Sequence, residues 1–419
     1  MSAPDVHAPI PAPLDRADAQ RQRARSAKAG RAAIMIAVSI AGLLGAAWGA
    51  PIVTQMIGEG DFPFHLAAAE QFASDARITV PHFLLQVLLG TLLSAGWFAS
   101  VEQAAVVLFT GLYAATAALM CWYIGRATAS IATLGASVVL AIASLVAAPI
   151  LPDGEPGLYL IGYFPPNAFH NPTMLVAKPL LILVFACAVA SVTRTGQASW
   201  RELSLTAVSV ILLGAAKPNY LGCVVPVVIV IAVWKHAAKR DISLARVAAI
   251  CVPAMLTLGA GYALYRSQPL GEGGVIVAPM RVVALYAPVD PQSIVRYVGA
   301  SVAFPLAVVA LWPRATWRMP SIRMAWATTI VGLLISYLLA EDGPRLDHGN
   351  FLWTGQMAVF VLFVVTAMFL NRQLLPAARS GWTAARVLLT AGLLCLHVES
   401  GVRHVLTRVD SLHWLAFWT

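Results

Sequence analysis

Apolar runs of membrane-spanning length alternate with short polar segments along most of the chain, and basic clusters occupy every second break. A span needs about 20 apolar residues. Runs of this kind fall near residues 32–50, 102–124, 129–151, 175–192, 203–216, 220–234, 247–265, 293–312, 324–340, 355–371 and 385–400. The pattern predicts an all-α polytopic membrane protein with about eleven transmembrane helices. One further run, 83–98, is short and begins at a Pro-His pair, so it reads either as a short span or as a helix lying in the interface. The basic clusters choose between these. If it crossed, Arg126 and every later cluster would fall outside; if it lies along the outer surface, the clusters share the cytoplasmic side. That side then holds Arg126; Arg194 and Arg201; Lys235, Lys239, Arg240 and Arg246; Arg314, Arg318 and Arg323; and Arg372, Arg379 and Arg386. The outer side receives 51–101, 152–174, 217–219, 266–292, 341–354 and the C-terminal tail.

Composition agrees with a lipid-solvated chain: 59% of the 419 residues are hydrophobic and 11% charged, and the mean hydropathy is +0.76. A net charge of +9 would suggest a nucleic-acid partner in a soluble protein; here it is concentrated in inter-helix loops, and no such partner is expected. Cys121, Cys187, Cys223, Cys251 and Cys395 sit inside apolar runs with no CxxC, which argues against a disulfide framework or a zinc site. Residues 1–31, rich in Ala, Pro, Arg and Asp, read as a disordered basic cytoplasmic arm, and 32–419 as a single transmembrane domain. The run Ala32–Ala50 ends in Ala-Trp-Gly-Ala, which mimics a cleavage site, but its spanning length and long basic leader favour an uncleaved first helix. Neither a repeat of 20 to 50 residues nor inverted symmetry is visible, which weighs against transporters built on paired broken helices.

The candidate chemistry lies in the outer loops. Gly58-Glu-Gly-Asp-Phe-Pro-Phe-His65 follows the first span; its glycines permit a sharp turn, Pro63 suits a first helical turn, and Asp61 and His65 share one helix face. Asp61 either caps an amphipathic interfacial helix, with Phe64, Leu66, Ala69 and Phe72 on its apolar side, or acts as a base. Capping alone leaves His65 and the second carboxylate, Glu59, without a purpose. Glu59 and Asp61 would be a thin ligand set for a divalent ion, so a metal-independent site is expected, with a divalent metal as the alternative. The loop Tyr163–Thr173 offers His170 and Asn171 as hydrogen-bond donors, or Asn171 and Thr173 as helix caps. Lys178, near the outer end of its span, is expected to snorkel to headgroups, with a binding role as the alternative. Lys217, in Lys-Pro-Asn-Tyr220, is a charge inside a nearly continuous apolar run; it reads as a ligand for a lipid phosphate or as half of an ion pair, with Asn219 beside it. Glu341–Trp353 contains Arg345 to grip a phosphate and His348 and Asn350 to bond sugar hydroxyls, while Trp353 fits the interfacial aromatic belt. The loop 266–292 reads as a flexible lid.

Glu59-Gly-Asp61 directly after the first span, an interfacial helix, Pro81-His-Phe-Leu-Leu, Gly96-Trp and Tyr123-Ile-Gly-Arg126 follow one another over residues 32–175. In this order the chain resembles the C-type (GT-C) superfamily of polytopic membrane glycosyltransferases. The resemblance implies a GT-C-like fold and sugar transfer from a polyprenyl-phosphate donor to a glycan or lipid acceptor. It also implies an active site on the extracytoplasmic face of a bacterial inner membrane and Asp61 as the catalytic aspartate. Members often carry two adjacent acids, whereas a glycine intervenes here, and many carry a soluble outer domain that this chain does not show. Two other readings stand beside it. An O-antigen polymerase or ligase usually relies on arginines and a histidine in long outer loops; a lipid-linked glycan flippase would use Asp61 and Lys217 as a charge pair along a pathway.

Overall fold

The computed structural model describes residues 16–80, 82–126, 131–151, 162–167, 171–266, 274–285, 287–343, 346, 349–378 and 380–408. The chain is a helical bundle. In order it forms α1 (Arg16–Met56), α2 (Phe62–Asp75), α3 (Leu84–Ser94), α4 (Val101–Gly125), α5 (Ile131–Val146), α6 (Pro172–Thr193), α7 (Trp200–Ala216), α8 (Asn219–Ala237) and α9 (Leu244–Arg266). There follow β1 (Val275–Val277), α10 (Arg281–Ala284), α11 (Pro291–Leu311), α12 (Pro313–Arg318), α13 (Pro320–Leu338), β2 (Leu339–Glu341), α14 (Leu352–Ala377) and α15 (Gly381–Arg408). Each of the eleven expected segments coincides with one helix. Among the described residues nine helices are long and apolar enough to cross a membrane: α1, α4, α6, α8, α9, α11, α13, α14 and α15. The two others, α5 and α7, have 16 and 17 residues. With 11 residues, α3 is about 16 Å long, half the hydrocarbon thickness of a bilayer.

The arm expected to be disordered up to residue 31 is helical from Arg16, as a continuation of α1. Its Ala, Arg and Gln residues favour helix, and a helix already nucleated by the apolar run extends at little cost. Residues 1–15 lie outside the described residues.

α14 is the axis of the bundle. From Leu352 to Asn371 every residue is buried, because α4, α5, α6, α8, α11, α13 and α15 all pack on it. Around it, α1 and α4 pair antiparallel through small residues. Gly42 faces Ala114 and Ala118, Gly45 faces Ala117, and Gly49 lies against the ring of Tyr113, where any side chain would collide. The pairing sets the first apolar residues of α1, near Ala32, toward the Arg126 end of α4, and the start of α2 beside the first half of α4, where the rings of Phe62 and Phe109 stand 5.2 Å apart. The bundle therefore has two distinct ends, one bearing Asp61 and one bearing Arg126.

α2 and α3 form a short helical hairpin at the Asp61 end. It is held by the buried Gln86, which donates to Ala68 O (2.9 Å) and Arg77 O (2.8 Å) and accepts from the Thr79 amide (3.2 Å). The buried stripe of α2 is Phe62, His65, Leu66 and Ala69. Phe64, expected on that stripe, is exposed because it stands two residues after Phe62, about 200° around the helix from it. Part of the loop expected to be a flexible lid is also fixed: β1 pairs antiparallel with β2, Ile276 opposite Ala340. Backbone ladder bonds at both strands remove the freedom a lid requires.

α11 breaks at Val302 (φ −123°, ψ 18°), three residues before Pro305. The break leaves the Ala300 carbonyl and the Phe304 amide without helical partners, and other elements supply them. Ile150 N–H donates to Ala300 O at 3.0 Å, and Phe304 N–H donates to Nε2 of His397 on α15 at 3.3 Å. The other ring nitrogen, Nδ1, bonds Ala148 O, which makes His397 a neutral bridge between α15, α11 and the 147–150 segment. His397→Ala orphans the Phe304 donor and the Ala148 acceptor. Thermal or denaturant unfolding in detergent is expected to show a loss on the order of 3 kcal/mol.

Candidate functional site

The segment after α1 turns through Gly60, whose φ of +58° is the left-handed conformation that favours glycine. Asp61 then occupies the N-cap position of α2, with Pro63 in the first turn. Its side chain makes no capping bond. Instead Oδ2 accepts a hydrogen bond of 2.7 Å from Nδ2 of Asn171, 110 residues away. Asn171 is itself the N-cap of α6: its Oδ1 accepts from the Met174 amide (3.3 Å) and from the Thr173 hydroxyl (2.6 Å). Those two donors orient the amide so that Nδ2 points at Asp61. Asn171 thus caps its helix and holds the carboxylate at once, leaving the exposed Asp61 a second oxygen for an incoming group.

His65 is buried one turn below Asp61, and among the described residues its Nδ1 has no hydrogen-bond partner. Burial pushes its pKa down to about 4, the nearby Lys217 adds to this, and the negative charge of Asp61 opposes it. The ring is neutral at physiological pH. Because the unfolded chain binds a proton between pH 6.5 and 4 that the folded chain does not, stability is expected to fall across that window, as pH is lowered, by roughly 3 kcal/mol. His65→Leu should flatten this acid limb in a series of unfolding midpoints against pH.

Lys217 follows the last residue of α7 in an extended conformation and is 2% exposed. Its Nζ sits 4.9 Å from the ring centroid of Trp353. Burial pulls its pKa down to about 8, and the carboxylates of Asp61 and Glu341 pull it back up. Among the described residues neither carboxylate makes ion-pair contact with it. Glu341, at the end of β2, accepts from Nδ2 of Asn350 at 2.6 Å, and the Asn350 carbonyl accepts from Nδ2 of Asn219 at 2.7 Å. Pro218, Asn219, Glu341, Asn350 and Thr354 are among the residues that line a cavity of about 370 Å³. The lining also takes in Gly222 of α8, Leu258 and Tyr262 of α9, and Ile335 of α13.

The structure brings Asp61, His65, Asn171, Lys217, Asn219 and Asn350 to one end of the bundle and adds Glu341 and Trp353. Trp353 is not in an aromatic belt: it is 8% exposed beneath Lys217. Nor does Lys178 snorkel. It is 1% exposed, because α6 turns it into the bundle, where Nζ donates to Oδ1 of Asn167 at 2.9 Å between the rings of Tyr113 and Phe360. Asn167, which the loop pattern did not single out, completes that arrangement by donating to Ser144 O and Ala147 O, both at 3.0 Å. Glu59 is exposed in the turn, where its backbone N–H donates to Met56 O at 2.9 Å and its carbonyl accepts from Phe62 N–H at 3.2 Å, and among the described residues no hydrogen bond or ion pair joins its side chain to the group. His170, Arg345, His348 and Pro81 lie outside the described residues. Among the described residues no three His, Cys, Asp or Glu side chains converge as a metal site would require.

No family model and no curated protein matches this chain. What the site can do follows from its chemistry. It offers an accessible carboxylate with one oxygen held, a neutral imidazole, an ammonium that faces an aromatic ring, and a nearby cavity with both polar and apolar lining. Such a set can take a proton, receive an anion and accommodate an amphipathic molecule.

Proposed function

We propose that this chain is an integral membrane glycosyltransferase of GT-C type. It moves a sugar from a polyprenyl-phosphate donor to a glycan or lipid acceptor on the extracytoplasmic face of a bacterial inner membrane, with inversion. The observation that carries the reading is the Asp61–Asn171 bond of 2.7 Å, which gives a carboxylate at a helix start a job other than capping. In the proposed reaction the acceptor hydroxyl oxygen forms a bond to the anomeric carbon while its proton passes to Asp61. The bond from that carbon to the phosphate oxygen breaks, and polyprenyl phosphate leaves with the electron pair. Lys217 faces the charge that develops on the leaving phosphate, and Asn219 and Asn350 are placed for polar contacts to donor or acceptor. The apolar lining from α8, α9 and α13 suits the start of the polyprenyl chain.

The test is transfer by the purified full-length protein from a panel of polyprenyl-phosphate sugars to an endogenous glycan extract, with and without chelator. Transfer that survives chelation supports the metal-independent form. Movement of an intact lipid-linked glycan across vesicles, without sugar transfer, would instead establish the flippase reading.

A further inference from the structure

At the end of the bundle opposite Asp61, α4 and α14 finish side by side. The buried Asn371 joins them, donating to Ser137 Oγ at 3.0 Å and to Ile124 O at 3.5 Å. Two guanidinium groups emerge at this junction. Arg126, which caps α4, lies over the Tyr123 ring at 3.8 Å, and Arg372, next to Asn371 on α14, reaches Sδ of Met319 at 3.8 Å. The two side chains start from one junction, since Asn371, the residue before Arg372, bonds the carbonyl of Ile124, two residues before Arg126, and the Tyr123 hydroxyl buried there has no hydrogen-bond partner among the described residues. Among the described residues no carboxylate pairs with either arginine. Arg318 and Arg323 flank Met319 in sequence and add to the positive charge. Of the acids at this end, Glu202 is engaged by Arg246 and Arg194. Holding two cations together without a counter-ion is unfavourable, and a planar fork on each suits phosphate oxygens.

We infer that Arg126 and Arg372, with the buried Tyr123 beside them, form a binding site for an anionic phosphate group at the end of the bundle opposite Asp61. The site is independent of the sugar-transfer reading. Its ligand is the headgroup of an anionic phospholipid or a free phosphate, and the two sources separate experimentally.

Full-length protein in phosphatidylcholine bicelles is titrated with phosphatidylglycerol or with inorganic phosphate, reading retained lipid by native mass spectrometry and the unfolding midpoint. The expected result is a preference for phosphatidylglycerol over phosphatidylcholine that drops roughly twenty-fivefold in R126Q/R372Q, at about a factor of five per cationic side chain. It should persist in the charge-matched control K235Q/K239Q. Stabilisation by inorganic phosphate alone, lost in the same double variant, would assign the site to free phosphate. If R126Q/R372Q does not fold, R126K/R372K keeps the charge but loses the forks and should weaken binding by an intermediate factor. Equal preference in wild type and R126Q/R372Q, or an equal loss in K235Q/K239Q, overturns the site, because the effect would then be diffuse surface charge.

Discussion

Asp61→Asn is expected to remove sugar transfer by a factor of about 10³ or more while leaving the unfolding midpoint close to that of wild type. The magnitude combines the contribution of a positioned base, about 10² to 10⁴, with the fact that an amide cannot accept the proton of the attacking hydroxyl. The small stability change follows from geometry. Asp61 makes no capping bond to α2 and is exposed. The residue it does bond, Asn171, keeps its own cap to Met174 when the partner changes. In the variant the oxygen of the substituted amide can still accept from Nδ2 of Asn171, so the local arrangement survives. The decisive measurement is single-turnover transfer at saturating donor, with donor binding followed separately. Loss of turnover with binding retained is the signature of a base. A properly folded variant with wild-type transfer would remove Asp61 from the chemistry and bring the flippase reading forward.

Lys217→Met should change stability and activity in opposite directions. In the wild type the folded pKa of about 8 lies below the ordinary lysine value of 10.5. Between these values the unfolded chain binds a proton that the folded chain has released, so stability rises with pH from about 8 to 10.5. Below pH 8 both states are protonated and the folded state bears the full desolvation penalty, on the order of 3 kcal/mol. Methionine fills similar space without the charge, so the variant should be more stable at about pH 7 and show no rise between pH 8 and 10.5. Transfer should fall by about 10² to 10³, the range for removing one group that stabilises developing charge. Unfolding midpoints across pH, set beside transfer rates for the same preparations, read both effects. A variant with unchanged stability and unchanged transfer would show that the buried ammonium has neither role.

A residue kept charged in a buried position at a cost to folding is the kind of strain that functional sites retain. The same contrast separates Lys217 from Lys178. Both are buried, but Lys178 is satisfied by Asn167, whereas Lys217 faces an aromatic ring, next in sequence to Pro218 and Asn219 of the cavity lining.

The order and type of the helices were legible in the sequence because each depends on local composition. A run of about 20 apolar residues must satisfy its backbone within itself, and basic residues between runs mark one side. The turn at Gly58–Asp61 and the start of α2 were legible for the same reason, as glycine, aspartate and proline act on their own backbone. Which helix lies at the centre was not. α4, α11 and α14 are similarly hydropathic, yet only α14 is wholly enclosed, because lipid and protein interior are equally apolar solvents. The partnerships that make the site were also hidden. Asp61 with Asn171, Asn219 with Asn350, and Lys217 with Trp353 join residues more than a hundred positions apart, and His397 with Phe304 nearly as many. Sequence alone marked Asp61, Asn171, Lys217, Asn219 and Asn350 as polar groups in or beside apolar runs, which membranes make expensive, and did not single out His397. Only the packing of whole helices decided which of them meet, since such contacts depend on where rigid elements cross and not on the residues beside them.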